Sequence, residues 1–137
     1  MRCVISEFHE VDVKFKDESI LVQSLKEMGY QPVTHKDGVQ LNNNYSRSKP
    51  TAHIVIPRSQ FSGMGDIGFE RTKSGFKMHA DDYDWGSHGK KFKLNKLNLT
   101  YGENAIKKYV SRTSRCNISS RRQNEKGQIE IKLRIAQ

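Results

Sequence analysis

Ile129-Glu130-Ile131-Lys132-Leu133-Arg134-Ile135 alternates without a break. Successive side chains of a strand point to opposite faces, so Ile129, Ile131, Leu133 and Ile135 share one side. Glu130, Lys132 and Arg134 take the other. Before this run lies Cys116–Gln123, joined to it by the turn residues Asn124-Glu125-Lys126-Gly127. The pair reads as an antiparallel hairpin with one apolar and one charged face.

Upstream, residues 92–112 recover helical spacing: Leu94, Leu97, Tyr101, Ala105 and Tyr109 fall three or four apart. Gly102 sits inside this helix and should weaken it by about 1 kcal/mol relative to Ala. Further back are three short strands, at His53–Ile56, at Ile67 and Phe69, and at Phe76–Ala80, the last two joined by the turn Lys73-Ser74-Gly75. Residues 31–51, with Asp37-Gly38 and Asn42-Asn43-Asn44, read as a short strand, a turn and a polar loop. Leu21, Leu25 and Met28 mark one face of a first helix. Asp17 is placed to cap it, Glu18 to meet its dipole, and Gly29 to end it. Residues 8–16 alternate around Val11, Val13 and Phe15, as a half-buried strand does.

The order is strand, helix, four strands, helix, two strands. It predicts a single α+β domain over residues 1–137: one antiparallel sheet with two helices packed on one face. Neither an internal repeat nor a linker interrupts it. A chain of 137 residues can bury about two-thirds of its unfolded surface and folds without staples. No run of 18 apolar residues occurs, so no membrane helix or membrane partner is expected. The start lacks the apolar segment of a secretory leader, and Cys3 and Cys116 are too few for a disulfide framework. The expectation is a cytoplasmic protein.

The chain holds 24 Lys+Arg against 15 Asp+Glu, a formal charge of +9. That excess is uneven: residues 1–86 carry a net −1 and residues 87–137 a net +10. Such asymmetry is the footprint of an anionic partner, although a solvated basic surface has the same arithmetic. Some of it answers to the second helix, whose last turns carry Lys107, Lys108 and Arg112. The rest nominates Lys90, Lys91, Lys93, Arg121, Arg122, Lys132 and Arg134 as phosphate contacts. Basic residues on an outer strand can also guard an edge against aggregation. Tyr83 and Trp85, in the acidic loop 81–86, are candidates for stacking on a base or anchoring an interface.

Other motifs point less far. Gly63-Met64-Gly65-Asp66-Ile67-Gly68 is a literal G-x-G-x-x-G, but a dinucleotide site needs a helix next, and a strand pattern follows instead. Gly68 is better read as allowing close approach of a neighbouring element. His79, Asp81, Asp82 and Asp84 form the densest cluster of metal-ligand types, without the spacing of a calcium loop or a zinc site. Cys116 falls in a strand, where a buried thiol is commonplace. No nucleophile or phosphate-loop motif occurs, so neither an enzyme nor a cofactor is expected.

Asp66-Ile67-Gly68-Phe69, with Ala52–Ile56 before it and Phe76–Asp81 and Trp85 after it, resembles a known family. This is the small chloroplast and cyanobacterial reading-frame family, also seen in bacteria and phages, catalogued as domain of unknown function twelve fifty-seven. Its "ALEDLGY" is similar to Ser24–Tyr30, its "FLNRLTQRYAYH" to Leu94–Tyr101, and its closing "DGSIRLVLRR" to Lys126–Arg134. The likeness spans roughly residues 5–135. The family's second Tyr and following His are Glu103 and Asn104 here. The resemblance implies a single α+β domain and no particular activity; the presence of members in phages makes a virus-encoded effector plausible.

The function expected first is a non-catalytic binding protein that holds nucleic acid through its basic C-terminal region. The second is a protein that sequesters a nucleotide or small molecule with the 62–68 loop, Tyr83 and Trp85. The third is an adaptor that docks on a host protein or on a second copy of itself.

Overall fold

Asp17 starts the first helix in the way its chemistry requires. Its backbone is extended, and its carboxylate accepts from the Ile20 N–H at 3.2 Å and the Ser19 hydroxyl at 2.7 Å. In this computed structural model, which describes residues 2–5, 15–41, 50–63, 65–80, 92–113 and 115–135, helix α1 runs Glu18–Glu27. It ends at Gly29, whose φ of +94° is a left-handed conformation that side chains disfavour. The Tyr30 N–H then returns to the Leu25 carbonyl at 3.1 Å, and that of Gly29 to Lys26 at 3.0 Å, which satisfies carbonyls of the last turn.

Four antiparallel strands follow: β2 (Val33–Gln40), β3 (Thr51–Ile56), β4 (Ile67–Thr72) and β5 (Gly75–His79), neighbours in that order. The expected turn at Asp37-Gly38 is instead an irregularity inside β2, where the register with β3 shifts between Thr34 and Val39. Gly38 has φ +84°, and a Cβ there would lie 2.6 Å from the Thr51 methyl. The hairpin expected at Lys73-Ser74-Gly75 is present and joins β4 to β5. Ile54, Ile56, Ile67 and Phe69 turn to one face and pack with Phe15, Leu21, Leu25, Phe76, Phe92 and Leu97. Phe15 sits edge-on to Phe69 and Tyr101, with ring centroids at 5.9 and 4.9 Å.

Helix α2 (Leu94–Arg112) presents two apolar faces. Leu97 and Tyr101 enter the first core; Leu99, Ile106 and Val110 enter a second one, with Cys116, Ile118, Ile129, Ile131 and Leu133. The sheet behind that core is built of β1 (Arg2–Ile5), β6 (Cys116–Gln123) and β7 (Ile129–Ile135), in the order β1-β7-β6. The α+β class, the two helices and the element order are as the sequence predicts.

The single sheet is corrected to two, of four and three strands. A helix with two apolar faces can serve two sheets, and alternation reports a buried face without reporting which strands share it. The first strand also differs from expectation. It is Arg2–Ile5, paired with β7, whereas of the expected strand 8–16 residues 8–14 lie outside the described set and Phe15 makes a lone bridge to Phe76. Among the described residues, no helix is long and apolar enough to cross a membrane.

Candidate functional site

The β6–β7 hairpin is closed by Asn124, whose carboxamide oxygen accepts from the N–H of Lys126 at 3.0 Å and of Gln128 at 2.9 Å. From that turn the register runs Gln123–Ile129, Arg122–Glu130, Arg121–Ile131 and Ser120–Lys132. It then shifts, and Ile118 pairs with Leu133, so Ser119 is an extra residue in β6. Cross-strand partners share a face. Arg121 therefore lies on the same side as buried Ile131, and Arg122, Ser120 and Asn117 lie on the opposite side with Glu130, Lys132 and Arg134.

The two adjacent arginines consequently do different work. Arg121 reaches α2 and donates to the Glu103 carboxylate, which also holds Lys107 at 3.6 Å. Arg122 pairs across the strands with Glu130 at 3.2 Å. Lys132 and Arg134 are exposed and meet no carboxylate among the described residues. Lys93 is exposed just before α2, at the N-cap position, where its side chain makes no capping bond. A cation there meets the positive end of the helix dipole and does not serve the helix. Lys90, Lys91, Tyr83 and Trp85 lie outside the described residues, as do Asp81, Asp82 and Asp84. Among the described residues the structure thus brings Lys132 and Arg134 together and turns Arg121 away from them.

Several of the basic and polar residues hold the two helices. The Lys108 ammonium lies 2.7 Å from the Asp17 carboxylate and 3.1 Å from the Ser19 hydroxyl. That ammonium foremost, then Ser19, holds the Asp17 carboxyl well below its ordinary value of 3.8. Asn104 donates to the Ser24 hydroxyl at 3.1 Å and the Glu27 carboxylate at 2.9 Å. The Tyr101 hydroxyl accepts from the N–H groups of Lys16 and Asp17 at 3.0 and 2.9 Å. Glu103 and Asn104, the departures from the resembled pattern, are therefore both structural contacts here. Helical spacing could have paired Glu103 with Lys107 four positions on, but it gave no sign of Arg121 or of the Asn104 partners, which lie 18 to 80 positions away.

Gly68 lies in β4, and a Cβ on it would come within 2.7 Å of the Leu41 methyls and 2.5 Å of the Ala52 Cβ. This is the close approach expected of it. The glycine motif opens into β4, where a dinucleotide site would have a helix. His79 Nε2 lies 2.8 Å from the Glu70 carboxylate, and among the described residues no group of three His, Cys, Asp or Glu side chains could hold a metal. Cys116 is buried in the second core. Asn98, on α2, is buried, and neither atom of its side-chain amide meets a hydrogen-bond partner among the described residues.

No curated protein and no solved structure matches this chain. The family model described as "Protein of unknown function (DUF1257)" matches residues 24–132, from within α1 into β7. That is well over half of the chain, and the protein belongs to this family.

Proposed function

We propose that the protein binds nucleic acid, without catalysis, on the outer face of its three-stranded sheet. The observation that carries this reading is the place of Lys132 and Arg134. They stand two residues apart on β7, the central strand, with no carboxylate partner among the described residues. Edge protection accounts for charges on an edge strand, and β7 is not one. Across from them lie Ser120 and Asn117, small polar residues able to donate to phosphate or sugar oxygens. Lys93, together with Lys90 and Lys91, would extend the contacts along the chain. Such a surface grips a phosphate backbone by charge and carries no base-specific readout.

Binding of labelled RNA and DNA across a salt series tests the reading. Affinity should fall linearly with log salt, and Lys132→Glu/Arg134→Glu should weaken it at least about tenfold and flatten the slope by about two. Arg121→Gln, on the opposite face, should leave it nearly unchanged. Binding that ignores salt, or that survives the double variant, refutes the proposal.

A further inference from the structure

The first sheet carries its own cluster of cations, in the part of the chain that has no net positive charge. Between the start of α1 and the β4–β5 hairpin lies a cleft of about 530 Å³, lined by Lys16, Glu18, Arg71, Thr72, Lys73 and Phe76 among others. We infer that this cleft binds the phosphate group of a small molecule.

Arg71 is already oriented for the task. Its guanidinium pairs with Glu18 at 3.0 Å, donates to the Lys36 carbonyl at 3.4 Å and lies 5.7 Å over the Phe76 ring. A guanidinium has five N–H donors, and these two bonds leave the others for an anion. A side chain held in this way loses little freedom on binding. Glu18 is taken up by Arg71, so the charges of Lys16 and Lys73 stand without a carboxylate partner among the described residues.

The frame beneath them is fixed. The Phe76 N–H donates to the Phe15 carbonyl at 2.6 Å, and the backbone N–H of Lys16 donates to Tyr101. Gly75, at φ +127°, presses so close to residue 15 that a Cβ would lie 2.8 Å from its carbonyl oxygen. Thr72 closes the turn through the Gly75 carbonyl at 2.5 Å. Three cations against the single carboxylate of Glu18 leave the cleft lining with two positive charges in excess, which suits a compact multivalent anion, whereas an extended polymer is met by a row. The volume falls within the ordinary range for small-molecule sites, about 300–1,000 Å³. A second cleft of about 510 Å³ shares Glu18 as a wall and is lined by Val22 and Thr34, with room for an organic portion.

Calorimetric titration of the full chain with inorganic pyrophosphate tests the inference. Saturable one-to-one binding is expected, weakened at least about tenfold by Lys16→Glu/Lys73→Glu and unchanged by Lys132→Glu/Arg134→Glu. Should the first double variant fail to fold, Lys73→Ala at the exposed turn replaces it, with a smaller loss in the same direction. No saturable binding, or equal loss in both double variants, overturns the inference. So does displacement of pyrophosphate by an unphosphorylated oligonucleotide, which would make the cleft part of a polymer surface. The two double variants also separate this site from the nucleic-acid proposal, because each should silence only its own ligand.

Discussion

The two larger cores among the described residues share helix α2 and little else. The first buries four phenylalanines, at positions 15, 69, 76 and 92, between β3, β4, β5 and both helices. The second is aliphatic apart from one thiol, and Leu99, Ile129, Ile131 and Leu133 are its main members. A large aromatic core supplies much apolar burial per residue. The smaller one rests on α2 and can leave the opposite face of its sheet polar and charged. Stability is thus concentrated in one sheet and the exposed cationic face of the hairpin in the other.

The sharpest way to break this comparison is to empty each core in turn. Phe69→Ala should cost about 3–5 kcal/mol, and Ile131→Ala about 2–4 kcal/mol, in denaturant unfolding. With both variants in hand, hydrogen exchange should show Ile131→Ala loosening β6 and β7 more than β3 and β4. If Ile131→Ala proves the costlier of the two, the second core is not the minor one.

Asp17 joins the two helices that the first core rests on, and its loss should be felt next. Asp17→Ala removes a helix cap and the Lys108 ion pair, and should cost about 1–2 kcal/mol at neutral pH. The folded carboxyl titrates below its ordinary 3.8, so its contribution is full above about pH 4 and fades as pH falls through the lower folded value. The gap between Asp17→Ala and the native chain should therefore narrow in acid. A gap that stays constant from neutral pH to about pH 2 would remove the ion pair from the account.

The smallest effect is expected at Glu103, which ties α2 to the second sheet through Arg121 and also meets Lys107. Glu103→Gln should cost about 1 kcal/mol, less at high salt because both partners are partly exposed. A loss as large as that of Ile131→Ala would mean that the ion pair, and not the aliphatic packing, holds the second sheet.

Much of this was legible in the chain itself. Asp17 and Gly29 bound α1 because capping chemistry is local, and Ile129, Ile131 and Leu133 alternate because that face of β7 is buried, whereas Ile135 at its end is exposed. The division into two sheets was not legible, since a strand's own pattern does not name its neighbour. Nor was the separation of Arg121 from Arg122. Alternation from Cys116 and Ile118 would send Arg122 inward, and the extra Ser119 reverses that. The cleft of Lys16, Arg71 and Lys73 was equally hidden, because its members come from segments more than fifty residues apart.

Ser119 also has a mechanical meaning. The faces of Arg121 and Arg122 are counted from the Asn124–Gly127 turn, which fixes the register of the second half of β6. The connection from α2 enters at the other end, at Cys116. The spare residue is slack between these two anchors. Small changes in how the helix hands over to the strand can be absorbed there, and the two arginines keep their separate sides.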